Sequence, residues 1–230
     1  MARPPRLALA GHAHLVLLRA APGQPLFIDD EDRRVFLAAL LDALRQRRAA
    51  LHAYALHSDH VHLLITPSAD EGLGRVIQDL GRRYVALFNH RHGHRGSLWQ
   101  GRFRAAIVQP GAYLLEALLF IDAPRQRSGD TAAVDSWSSA RHHLGLARDP
   151  LLTDSSAYWQ LGNTPFDREH AYQRLLTEGL ASDRVAQLAA ASHKGWPIGD
   201  AAFLAQLAAR SVRQVAPRRR GRPYASRASS

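Results

Sequence analysis

The 230-residue chain carries 30 Lys and Arg against 20 Asp and Glu, a formal net charge of +10, with 46% hydrophobic residues and no cysteine. That length and apolar content fit a folded protein with one substantial core and a small appendage, and the lack of cysteine excludes disulfides and thiolate metal sites. No run approaches the eighteen apolar residues of a membrane span and the N-terminus has no signal-like apolar core, so the expectation is a soluble cytoplasmic protein without a membrane partner.

The first strand is expected from His12 to Leu18, where apolar residues alternate weakly. A helix follows, capped by Asp29, Asp30 or Asp32, carrying Phe36, Leu37, Leu40, Leu41 and Leu44 at helical spacing and ending in Arg45, Arg47 and Arg48. Strands at Leu51–Leu56 and His60–Thr66 are joined by the polar turn His57-Ser58-Asp59 and stopped by Pro67. A second helix collects Leu73, Val76, Ile77, Leu80, Tyr84, Leu87 and Phe88 on one stripe. After a loop marked by Gly93 and Gly96 come a strand at Phe103–Val108 and an apolar helix, Tyr113 to Asp122, ended by Pro124.

Strand, helix, hairpin, helix, strand predicts an α+β fold: an antiparallel sheet with helices packed on one face, of the ferredoxin-like kind. Residues 1–127 form that core in this reading. Residues 128–181 read as an irregular or helical extension. Residues 182–210 contain two helices, Ser182–Ala191 and Asp200–Arg210, about the turn Gly195-Trp196-Pro197-Ile198-Gly199. This pair fits a small helix-turn-helix or a packing appendage. Residues 211–230 form a disordered arginine-rich tail.

The charge is unevenly placed. Lys194 is the only lysine, so the cationic groups are almost all guanidinium, which grips phosphate and stacks on bases. No acidic residue follows Asp200, whereas the last 30 residues hold seven arginines. A second acid-free window, Leu80–Leu115, holds Arg82, Arg83, Arg91, Arg95, Arg102 and Arg104 with Tyr84, Phe88, Trp99 and Phe103 interleaved. Charge for phosphates beside aromatic surfaces for unpaired bases is what single-stranded or hairpin nucleic acid requires. Arg82, Arg83, Trp99, Arg102 and Arg104 are therefore candidate DNA contacts; Trp99 also fits a buried anchor. Arg220-Gly221-Arg222-Pro223 is similar to an AT-hook core, which adds Arg220 and Arg222, though a merely cationic tail fits equally.

The most informative run is His60-Val61-His62. In a strand these histidines project from one face while Val61 and Leu63 enter a core, making a two-point metal clamp with coordination positions left open. The same spacing fits two histidines on a solvated face. His57, His90, His92 and His94 are further metal candidates, or contacts to phosphate or solvent.

Taken together, five runs resemble the REP-associated tyrosine transposases, single-tyrosine members of the HUH endonuclease superfamily. They are His52-Ala53-Tyr54 through His60-Val61-His62-Leu63-Leu64; Gly81-Arg82-Arg83-Tyr84-Val85 with Phe88-Asn89; Gly96-Ser97-Leu98-Trp99-Gln100-Gly101-Arg102-Phe103; Tyr113-Leu114-Leu115; and Trp137-Ser138-Ser139. The resemblance spans about residues 10 to 180. It implies a metal-dependent DNA strand transferase acting on hairpin-forming single strands, with Mg²⁺ or Mn²⁺ on His60 and His62, DNA as partner and no small-molecule substrate. A tyrosine hydroxyl on the facing helix would attack phosphorus and leave a 5′ phosphotyrosine with a free 3′ hydroxyl.

One short stretch departs from the family. Where the family has Tyr-Ile-x-x-Asn-Pro this chain has Phe120-Ile121-Asp122-Ala123-Pro124, so the nucleophile's position holds Phe120, and the family's polar residue completing the metal site is missing. Tyr113 lies seven residues earlier, about 10 Å along the helix, too far for a group that must sit within on the order of 1 Å of its attack position. The resemblance thus implies a DNA-binding protein of the transposase type in which phenylalanine occupies the nucleophile's position. A catalytically silent descendant, a nuclease using activated water and an RNA-hairpin-binding module stay open as alternatives.

Overall fold

The computed structural model describes residues 8–123 and 137–210. Pro124, the expected boundaries near 127 and 211, and the tail with Arg220 and Arg222 lie outside the described residues.

The elements run β1 (Ala13–Arg19), α1 (Asp30–Arg47), β2 (Ala50–Leu56), β3 (His60–Thr66), α2 (Gly72–His92), β4 (Arg104–Val108) and α3 (Ala112–Asp122), followed by α4 (Ala140–His143), α5 (Ser156–Trp159), α6 (Pro165–Glu178), α7 (Ser182–Lys194) and α8 (Ala201–Arg210). The four strands form one sheet in the order β2-β3-β1-β4, every neighbouring pair antiparallel. The expected α+β antiparallel sheet is therefore present, and its βαββαβ succession is the ferredoxin-like one.

Local chemistry explains the elements. The Asp29 side chain accepts from the Asp32 backbone N–H at 3.0 Å, and acids in the first turn of α1 with arginines in its last complement the helix dipole. β3 alternates as a half-sheet should: Val61, Leu63 and Ile65 join one core while Leu64 joins the other. On the first face Val16, Leu18 and Leu56 pack with Phe36 and Leu40 of α1 and Val76 and Tyr84 of α2.

The core helices α1 and α2 pack on one face, as expected, and the structure adds a second layer. The opposite face is also covered: Leu15, Ala53, Ala55, Leu64 and Ala106 share a second core with Leu118 and Ile121 of α3, Tyr158 and Tyr172 of α5 and α6, and Leu188 of α7. The physical reason lies in the strands, whose residues on both faces are apolar and buried, so that both faces need a cover. On the second face the extension shares that cover with α3.

Three features dock that extension. Trp137-Ser138-Ser139 continues the sheet beside β2, with Leu56 N–H donating to Trp137 O (2.9 Å) and Ser139 N–H to Tyr54 O (2.9 Å). α6 begins with a capping box: the Thr164 hydroxyl accepts from the Asp167 N–H at 3.1 Å, with Pro165 in the first turn. The turn before α8 pairs with β4, Ile198 N–H donating to Ile107 O at 2.8 Å and Gln109 N–H to Ile198 O at 2.9 Å. Among the described residues no helix is long and apolar enough to cross a membrane.

Candidate functional site

The β3 alternation that buries Val61 and Leu63 directs His60 and His62 to the α3 face, with ring centroids 5.0 Å apart. Both rings are buried. The turn leaving β2 folds so that His57 N–H donates to His60 O at 2.9 Å, which swings the His57 ring to 4.4 Å from that of His60 and 6.3 Å from that of His62. One ring nitrogen from each of the three lies within 4.8 Å of the others. Of the four further histidine candidates, His57 is the one that joins the pair, because the tight turn His57-Ser58-Asp59 returns the chain onto the same face.

The nitrogens are oriented as well as gathered. His60 Nδ1 donates to Asp59 Oδ1 at 2.6 Å, which fixes that tautomer and leaves Nε2 as a ligand atom. Partial burial raises the Asp59 carboxyl, but the hydrogen bond and charge of His60 and the charge of Arg19 outweigh it and hold the group below its ordinary value. Three imidazoles can hold a divalent cation and leave positions for phosphate oxygen or water; the donor set suits a transition ion better than Mg²⁺, which prefers oxygen ligands.

The strand register brings two arginines beside the cluster. Arg19 is the ladder partner of His60, and Leu17 stands between His62 on one side and Arg104 on the other. Residues directly opposite across a ladder, and residues two apart along a strand, share a face. Arg19 and Arg104 therefore belong to the histidine face, and both are exposed. Arg104 was expected from its acid-free window; Arg19 was not, because only the register shows which residue lies opposite His60.

Helix α3 presents Phe120 to the cluster, its ring 5.4 Å from that of His62 in an edge-on arrangement. The position that carries tyrosine in the resemblance thus faces the histidines, but with a phenyl group. Tyr113, at the other end of α3, lies under the Arg184 guanidinium of α7 at 4.7 Å. Its ring is held by that contact, away from the triad.

The end of α3 is pinned by a buried polar group. Asp122 accepts from His143 Nδ1 at 2.6 Å, from the Tyr172 hydroxyl at 2.8 Å and from Ser139 Oγ at 2.5 Å. Burial, and then the neighbouring Asp122 charge, push the Tyr172 phenol well above its ordinary value, so it remains a donor. No sequence pattern signals this network, whose members lie up to 50 residues apart.

The expected DNA contacts divide. Arg82, Trp99 and Arg102 line one open groove of about 800 Å³ between α2 and the 96–103 loop, together with Phe103. Gly81 lies against Trp99, where a Cβ would stand in ordinary van der Waals contact 3.4 Å from the indole nitrogen. The loop is stitched to the end of β1 by Gln100 N–H donating to Arg19 O at 2.8 Å, so the groove opens at the same end of the sheet as His60. Arg82 also pairs with Asp79 at 3.0 Å. Arg83 turns the other way, to Asp42 of α1, and does not share the groove. Arg91 is taken by Asp29 and Asp32, with Nη1 to Oδ1 distances of 2.7 and 2.5 Å, while His92 also contacts Asp32 at 2.8 Å, and so these two brace α1 rather than the triad.

No curated protein matches the chain. The structure is similar to that of a REP-associated tyrosine transposase bound to a REP hairpin, with a TM-score of 0.53 and 16% identity over 68% of this chain and 96% of that one, a likeness of fold. A Deinococcus radiodurans R1 protein assigned to the transposases aligns at 24% identity over 48% of this chain and 88% of that one, with a TM-score of 0.36. Residues 10–116, from the start of the sheet into α3, match the model of the IS200-like transposases. Over those residues the chain is similar to the IS200-like transposases.

Proposed function

We propose that this protein binds hairpin-forming single-stranded DNA and holds Mg²⁺ or Mn²⁺ on His57, His60 and His62, but does not form the phosphotyrosine link of its family. The observation that carries this reading is the Phe120 ring standing against His62: the helix position facing the metal ligands has no oxygen to attack phosphorus.

The groove with Arg82, Trp99 and Arg102 offers charge for phosphates and an aromatic surface for bases, and the similar solved protein is bound to a REP hairpin. A bound divalent ion supplies charge that polarises a phosphate oxygen. Asp59 keeps the His60 ring in its ligand tautomer, Arg19 and Arg104 place a strand's phosphates on the histidine face, and the Asp122 network fixes the end of α3 behind Phe120. The tail arginines, Arg220 and Arg222 among them, add further contacts to DNA backbone in this reading.

The test is to bind a labelled hairpin oligonucleotide with a single-stranded flank, then repeat with Mn²⁺. Retention of the hairpin and Mn²⁺ binding that is lost with the histidines support the reading. A matched RNA hairpin binding more tightly than the DNA would replace it with the RNA-binding alternative.

A further inference from the structure

We infer that the cleft between α3, α6 and α7 receives one unstacked nucleobase of a strand whose phosphate lies at the histidine cluster. This deepens the hairpin-binding reading and rests on it.

The cleft encloses about 320 Å³ and counts His57 and His62 among its lining residues. Its walls include Phe120, Leu176, Leu180 and Val185, and its described lining residues include no Asp, Glu, Lys or Arg. The α6 and α7 walls come from outside residues 10–116, so they belong to this chain's extension and not to the family-matched portion. They are held open. The Asp122 carboxylate ties the end of α3 to Tyr172 on α6, while Arg184 of α7 reaches Glu116 of α3 with Nε at 3.0 Å. A preformed apolar cleft of this size accommodates a flat ring system without rearrangement.

The surroundings decide what that occupant carries. An otherwise apolar cavity is lined by two imidazoles, and the adjoining sheet face presents Arg19 and Arg104, so the ligand is an apolar body joined to an anion. Arg19 and Arg104 are diagonal across the β1–β4 ladder, with Cα atoms roughly 7–8 Å apart. That spreads the positive charge along a line, as successive phosphates of a strand require and a single anionic headgroup does not. Enzymes that do chemistry on a nucleobase show that such a pocket can hold an extruded base, by stacking between aromatic and apolar side chains together with hydrogen bonds to the base edge.

The experiment uses the full chain and a DNA hairpin with a single-stranded flank, replacing each flank base in turn by an abasic residue and measuring affinity by anisotropy. One position should weaken binding roughly 5- to 150-fold, the range for a single stacked base, with neighbours close to the parent oligonucleotide. Leu176→Trp, which fills the cleft, should lower affinity for the parent flank to that of the abasic one, so that the penalty disappears; its melting temperature verifies folding. A flat abasic scan with the hairpin still bound overturns the inference while leaving the hairpin reading intact, and binding of a long-chain fatty acid under those conditions would assign the cleft to an amphiphile. Failure of even the unflanked hairpin to bind overturns the parent reading and this inference together.

Discussion

His143 donates from Nδ1 to the Asp122 carboxylate at 2.6 Å inside the protein, with both side chains fully buried. This pair joins the last turn of α3 to the segment that follows it, and Tyr172 and Ser139 complete the carboxylate's partners. Removing one member of a buried, hydrogen-bonded pair strands the other. Asp122→Ala should cost about 3–5 kcal/mol in urea denaturation, and Tyr172→Phe, which deletes one hydrogen bond, about 1–2 kcal/mol. If Asp122→Ala unfolds at the wild-type midpoint, the network does not hold α3.

The histidine cluster makes a separable claim. Mn²⁺ at a hundred times its dissociation constant should stabilise the folded chain by about 2.7 kcal/mol, seen as a higher unfolding midpoint. His60→Ala and His62→Ala should abolish that gain. His57→Ala should weaken Mn²⁺ binding at least tenfold, and Asp59→Asn by roughly 10- to 100-fold, because Asp59 orients a ligand without touching the ion. Wild-type Mn²⁺ affinity in His57→Ala would reduce the site to the two histidines of β3.

The groove and the remote arginine are distinguished by DNA titration. Trp99→Ala should cost about 1–3 kcal/mol of hairpin binding. Arg102→Ala should flatten the dependence of log K on log salt by roughly 0.7–0.9 for each phosphate that is no longer neutralised, and removal of residues 211–230 should flatten it further. Arg83→Ala should do less than Arg102→Ala, because Arg83 is turned to Asp42. Equal effects at both arginines would mean that DNA follows the outer face of α2 instead.

Acid should destabilise the fold through His14. Burial is the dominant cause that lowers its pKa to about 4, with Nδ1 donating to His12 O at 2.7 Å and Nε2 accepting from the Leu9 N–H at 3.3 Å. The unfolded histidine, near 6.5, binds a proton first, so stability is complete above that pH and falls as pH drops from about 6.5 to about 4. The loss over that window is about 3 kcal/mol, and His52, also lowered by burial, acts in the same direction. Denaturation midpoints between pH 8 and 4 should show the decline, and His14→Gln should flatten it; a variant retaining the full decline would remove His14 as its source.

The core elements were legible because each strand and helix through α3 has its own period and punctuation, as in the alternation of His60 to Thr66 and the stripe from Leu73 to Phe88. The second face was not, since its cover comes from α5, α6 and α7, and hydrophobic patterning tells which residues are buried without telling by what. Thr164-Pro165-Phe166-Asp167 is a readable helix start that sequence reasoning passed over. Of the site, His60, His62 and Phe120 could be placed from spacing and resemblance, whereas His57 needed the path of the turn and Arg19 needed the register. The Asp122 network has no local pattern, because its members are united only by the fold.

Restoring the missing atom tests whether the scaffold is otherwise intact. Phe120→Tyr adds an oxygen to a side chain already facing His62, so the variant should form a covalent hairpin adduct with Mn²⁺, detectable as a band that survives denaturation. Absence of that band from a folded, hairpin-binding variant would show that the site has lost more than the hydroxyl.

The most direct measurement is the same gel on the unaltered protein. Incubated with a labelled single-stranded hairpin and Mn²⁺, the wild-type chain should retain the DNA under native conditions and show no protein-linked band after denaturation. A denaturation-resistant adduct that disappears in Tyr113→Phe would contradict the account, since it would place a working nucleophile where the structure shows a tyrosine held beneath Arg184.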